Sequence, residues 1–297
     1  MQVVSRSEID KKYKWRLEDI IPSDEAWEEL LKDTSHRAKE ISKFQGKLGE
    51  KSTILQCLRF DDELSIDLEK LYVYAKMRKD EDCSVDKYVG MVDRIKNLLV
   101  DISEKSAYIM PELSANSAEF LQKLSADKDF AEYSYNLELI AKNKEHTLST
   151  PEEVLLAKTG LFSGLFQEAF GMFDNLDIKF KTFTTENGEK VELSHGLYGA
   201  LMQSPVRSDR SKAFDSMFSA YKDMINTIAT LYIGNVKKNV FYSQVRKYEN
   251  CLDRATKGED VSIDVYYRLL ECVNDNIPLL HRYLRYRRHA LGYRQLH

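Results

Sequence analysis

Histidine is the side chain best suited to hold a metal or carry a proton near neutral pH, and the chain has six: His36, His146, His195, His281, His289 and His297. Zinc hydrolysis from a helix needs two histidines one turn apart with a glutamate directly after the first. Both imidazoles must face one ion, and the carboxylate must reach the water on it. The first five histidines are followed by Arg, Thr, Gly, Arg and Ala, and His297 is the last residue, so H-E-x-x-H is absent. His281 and His289 fall roughly on one side of a helical pattern, but Arg282, Arg285, Arg287 and Arg288 surround them, and a cation is a poor guest there. They read as surface or interface histidines.

Other chemistries find as little support. A nucleophilic serine needs a strained turn such as G-x-S-x-G; Gly160 to Gly164, GLFSG, is spaced differently and places Ser163 in a helix, where small residues serve a close helix contact. No phosphate-binding glycine loop is present. The acidic groups Asp61-Asp62, Asp80 to Asp82 and Glu152-Glu153 are expected at helix starts or turns, where capping and the helix dipole favour carboxylates. Arg282, Arg285, Arg287, Arg288 and Arg294, interleaved with Tyr283, Tyr286 and Tyr293, could pair with phosphates and stack on bases. In a chain of net charge −4 the favoured reading is that these arginines pair with acidic residues elsewhere. We assign no catalytic, cofactor-binding or metal-ligating residue.

The elements that would position any site are helices. With 12 Gly and 5 Pro in 297 residues, punctuation is sparse and long uninterrupted elements follow. The fold class is mainly α: an elongated multi-helix assembly with one small β-hairpin at about 176–193. Basic and acidic residues, 44 and 48, are mixed throughout, so no field of one sign draws in nucleic acid or a membrane. Cys57, Cys83, Cys251 and Cys272 form no C-x-x-C pair and read as reduced thiols. There is no signal-peptide pattern and no run of 18 apolar residues. The expected location is the cytoplasm, with neither nucleic acid nor membrane as partner.

Ser23 starts a first helix that Gly46 ends. A second begins near Ser52 and runs to the charged turn Lys79 to Asp82, and a third follows Ser84 until Pro111 stops it. Together they predict an antiparallel lobe. Shorter helices fill residues 111–144. Thr150-Pro151-Glu152-Glu153 then predicts a start with Thr150 as cap and Glu153 reaching back to it. Leu176 to Phe180 and Val191 to Leu193 alternate around Asn187-Gly188, whose positive φ values would make the hairpin turn. Ser204 to Tyr248 reads as one rod, started by Ser208 and Asp209 and about 60 Å long at about 40 residues. Its stripe, including Phe214, Met217, Phe218, Tyr221, Ile225 and Ile228, is too wide for one neighbour. Ser262 caps a further helix, and Pro278 begins the last one, which Gly292 closes.

Trp15-Arg16-Leu17-Glu18-Asp19-Ile20-Ile21-Pro22-Ser23 resembles the opening of the oligoendopeptidase F family, zinc peptidases related to thimet oligopeptidase. Further likenesses follow in order: Leu71 to Ala75 with Asp80 to Asp82, His146 to Ser149 with Glu152-Glu153, Asp209-Arg210 before Ala213-Phe214, and His281-Arg282-Tyr283 with Arg287 to Gly292. Ile21 stands where the family has an aromatic residue. The resemblance implies an N-terminal half. Family members are about twice as long, and their H-E-x-x-H helix, third zinc ligand and transition-state groups match positions beyond His297. It therefore implies zinc for the intact enzyme and none in this chain, short peptides as substrates, and a C-terminal catalytic half as partner. The expected parts are an N-terminal helical lobe (1–112), a helical segment with the hairpin (113–203) and the beginning of the peptidase domain (204–297). The chain alone is expected to be inactive. The alternative is a non-catalytic α-helical peptide-binding or scaffold protein derived from the family.

Overall fold

The structure is a computed structural model describing residues 8–296. Its Cα packing separates a unit that ends at Lys238 from one that begins at Asn239.

In the first unit, α1 (Asp24–Arg37), α2 (Lys51–Glu81) and α3 (Asp86–Ser106) contribute to one core. Ser23 caps α1 by accepting the Ala26 N–H, with Asp24 and Glu25 in the first turn, as the dipole favours. Trp27 and Thr34 face inward from α1, Leu64, Leu68 and Leu71 from α2, and Met91, Ile95 and Leu98 from α3. The apolar residues among these share one core with Leu17, Ile21 and Phe130. The buried Trp27 indole spends its polar edge on the Leu71 carbonyl at 2.9 Å. Outside, the Arg94 guanidinium lies 4.9 Å from the Trp27 ring centre and grips both oxygens of Glu28 at 2.6 and 2.7 Å.

Short helices α4 (Ile109–Ala115), α5 (Ala118–Ser125) and α6 (Ser134–Lys142) follow. Pro111 lies inside the first turn of α4, where its missing N–H is tolerated; α3 has already ended at Ser106. Helix α7 (Thr150–Lys158) starts one residue earlier than expected. Ser149 is the cap and Glu152, not Glu153, closes the capping box through the Ser149 N–H at 2.9 Å. Glu153 reaches the Leu148 N–H instead. Helices α8 (Gly160–Ser163) and α9 (Leu165–Met172) run into a π turn, Phe173–Asp177, in which the Ile178 N–H bonds the Phe173 carbonyl five residues back.

The hairpin is present, with its first strand later than the alternation suggested. Strand β1 is Phe183–Thr184 and β2 is Lys190–Val191, antiparallel, while Leu176 and Asp177 belong to the π turn. At the tip only Gly188 takes positive φ, +81°, so one glycine supplies the reversal expected of two residues. Helices α10 (His195–Leu201) and α11 (Arg207–Asp223) pack on it around Val191, Leu193, Leu201, Ala213 and Met217. Ser208 and Asp209 do not cap α11. The buried Asp209 accepts the Glu186 N–H at 3.0 Å and Ser208 donates to the Glu186 carboxylate at 2.5 Å, so both fasten the hairpin tip.

The expected rod is two helices. At Met224 the N–H turns to the Tyr221 carbonyl, three residues back, and this tightened turn ends α11 before α12 (Ile225–Val245) begins. In the second unit α13 (Cys251–Gly258) leads to α14 (Ile263–Ala290), capped by Ser262. Pro278 lies inside α14 and starts no new helix. The apolar period Val273, Ile277, Leu280, Leu284 runs through it unbroken. Among the described residues no helix is long and apolar enough to cross a membrane.

Candidate functional site

The histidines lie apart. His36 is on α1, His146 is buried in a 3-10 turn, His195 opens α10, and His281 and His289 are on α14; His297 lies outside the described residues. Among the described residues no three His, Cys, Asp or Glu side chains come together as a metal set. The donors present therefore do not fit the zinc that the resemblance implies. Asp61 and Asp62 sit in mid-α2, not at a helix start as expected. Asp62 accepts the Tyr133 hydroxyl at 2.6 Å, while burial and then the Asp62 charge push the Asp61 carboxyl up. Ser163 ends α8, and a side chain at Gly160 would meet Val100 at 3.0 Å, so GLFSG does serve a close helix contact.

Polar side chains converge instead in a groove that α2 and α3 form with α8 and α9. Two cavities, of about 590 and 660 Å³, share Tyr72, Lys96, Gly164 and Glu168 in their walls. Lys96 and Glu168 form an ion pair across the groove. In the larger cavity Lys76 pairs with Asp80, four residues on along α2. Lys79 and Asp174, the latter from the π turn, line the same cavity.

Asp174 also heads a hydrogen-bond chain that local spacing cannot reveal, since its members lie on three elements. The Tyr221 hydroxyl of α11 donates to Asp174 Oδ1 at 2.6 Å. Its one proton being committed there, its oxygen accepts from His195 Nε2 at 2.8 Å, and that nitrogen lies 3.5 Å from Asp174. Burial, followed by the bond to Asp174, raises the Tyr221 pKa to about 12. Phe173, Phe180 and Phe218 pack their rings around Tyr221 at 6.2 to 6.5 Å.

The other notable feature is uncovered apolar surface. On α11 and α12, Phe214, Phe218, Ile225, Tyr232 and Ile233 are exposed. In the second unit every side chain of α14 from Asp264 on is exposed, including Leu270, Val273, Leu280 and Tyr286. Arg282, Arg285, Arg287, Arg288 and Arg294 meet no carboxylate among the described residues, against the expectation that they pair within the chain. Apolar faces of this extent mark a surface built to be covered.

The model of the Oligopeptidase F family matches residues 112–180. Oligopeptidase PepF of Bacillus subtilis is 34% identical over 298 residues, 100% of this chain and 44% of that protein. Group B oligopeptidase PepB of Streptococcus agalactiae is 34% identical over 290 residues, 97% of this chain and 48% of its own length. A crystal structure of oligoendopeptidase-F from Enterococcus faecium superposes with a TM-score of 0.85 at 30% identity, covering 92% of this chain and 53% of that one. The chain thus spans about half the length of the curated relatives it matches.

Proposed function

We propose that this chain, which aligns along its whole length with 44% of Bacillus subtilis oligopeptidase PepF, is the N-terminal portion of a zinc metalloendopeptidase that hydrolyses short oligopeptides. Residues 1–112 serve as the N-terminal lobe, 113–203 as the hairpin-bearing helical segment and 204–297 as the beginning of the peptidase domain. Its role is to form one wall of the peptide site, admitting short unfolded chains in the cytoplasm, while zinc and the hydrolytic groups belong to the remaining half. The observation that carries this reading is the 34% identity along the whole of this chain against 44% of a relative's length. The apolar faces of α12 and α14 agree with it, since a second half would cover them.

On this reading the chain alone neither retains stoichiometric zinc nor cleaves peptides. Metal analysis of the purified protein and a fluorogenic peptide assay with and without chelator test that directly. Chelator-sensitive cleavage by the 297-residue chain would show the reading to be wrong. The second reading, a non-catalytic peptide-binding protein, draws on the groove, which the first unit forms unaided. Peptide binding by a chain that forms no complex with a catalytic second half would favour it.

A further inference from the structure

The larger groove cavity, about 660 Å³, has the volume of a small-ligand site, and its polar groups can be matched one against another. Lys76 is taken by Asp80 and Lys96 by Glu168. Two groups of opposite sign remain. Lys79 meets no carboxylate among the described residues, and Asp174 uses only Oδ1, on Tyr221 and His195, leaving Oδ2 without a partner among them. An anion would satisfy Lys79 and leave the carboxylate bare; a cation would do the reverse. A ligand carrying both charges satisfies both.

We propose that this cavity binds a zwitterionic short peptide or free α-amino acid, with its α-carboxylate at Lys79 and its α-ammonium at Asp174 Oδ2. Two independent features support the assignment. Asp174 is delivered by a π turn, an irregularity that recurs at functional sites, and is held in place by Tyr221 and His195. Phe170 and Met172, both partly exposed, line the same cavity and offer an apolar seat for the ligand's side chain. Burial, and then the charges of Lys79 and Lys76, hold Lys96 below the usual lysine value, so the field of Lys79 is felt across the cavity and an anion beside it relieves that crowding. Such ligands are what peptide hydrolysis releases. In linking the cavity to products of the reaction, the inference rests on the function proposed above.

Calorimetric titration of the 297-residue chain with the dipeptide Leu-Phe, its N-acetyl form and its C-terminal amide tests the assignment. The free dipeptide binds, and each blocked form binds about tenfold or more weakly, because one charge in the half-buried cavity wall loses its partner. Lys79→Gln erases the preference for the free carboxylate and Asp174→Asn the preference for the free ammonium; Lys79 holds no ion pair or hydrogen bond among the described residues, and circular dichroism of each variant separates binding from folding. Equal binding of blocked and free dipeptides overturns the inference, as does an absence of binding by a chain that circular dichroism shows to be folded. Either result leaves the proposed function standing, because that falls on a separate outcome, chelator-sensitive hydrolysis by the chain alone.

Discussion

Helices α3 and α14 carry apolar residues at the same alternating steps of four and three. In α3 they are Tyr88, Val92, Ile95, Leu99 and Ile102; in α14 they are Tyr266, Leu270, Val273, Ile277, Leu280 and Leu284. Ile95 is 0% exposed and belongs to the main core, whereas Leu280 is 54% exposed. A period near 3.5 states that a helix needs a neighbour along one face. It does not state which chain supplies that neighbour. The first lobe finds its own in α1 and α2, whereas α14 meets its own unit's α13 and keeps its apolar side chains exposed. Side chains of α14's size each gain about 1.5–3 kcal/mol on full burial, so a face of this length is a strong site for assembly.

The contrast can be broken by substitution. The largest expected effect is Trp27→Ala, which empties a fully buried site and frees the Leu71 carbonyl; it should cost about 3–5 kcal/mol in denaturant unfolding. Gly234→Val comes next. A Cβ there would lie 2.4 Å from the Phe166 ring, so the ring must turn or α12 must move off α9, at a cost of about 1–3 kcal/mol by the same measurement. Leu270→Asp with Leu280→Asp on α14 should change the stability of the chain alone by less than about 0.5 kcal/mol, because both sites are already wet, and should lower its binding of an apolar dye. A large loss of stability from this pair would place α14 in a core and erase the contrast.

The smallest effect concerns acid. Burial alone would raise the Asp24 carboxyl, but bonds from Lys87 at 2.5 Å and Tyr74 at 2.8 Å outweigh it and hold the pKa below its ordinary 3.8. A lowered carboxylate pKa stabilises the fold above the unfolded value, and that contribution is lost as pH falls through the folded one. Asp24→Asn should therefore flatten the decline in stability below about pH 4 and leave α14's dye binding unchanged.

Much of the fold was legible in residues. Ser23 marked α1, the long α2 and α3 followed their apolar stripes, and Asn187-Gly188 marked the hairpin. The misses are local competitions. Ser208 and Asp209 have the composition of a cap, but the hairpin's free groups claimed them. Pro278 has the character of a helix start, yet the period on both sides carried α14 through it. The site was not legible at all: Asp174, Tyr221 and His195 are 47 and 26 residues apart and meet only because a π turn, α10 and α11 converge. Lys79 and Asp174 gain meaning only once Asp80 and Glu168 have taken the other lysines.

The central claim is that the uncovered faces await a second half that also brings the hydrolytic groups. Co-expression of this chain with the part of Bacillus subtilis oligopeptidase PepF that it does not match, followed by size-exclusion chromatography and a peptide assay, tests it most directly. The account predicts a one-to-one complex that cleaves a short fluorogenic peptide, lost on chelation and in the Leu270→Asp, Leu280→Asp variant. A chain that stays separate from that half, or one that cleaves the peptide by itself, would contradict it.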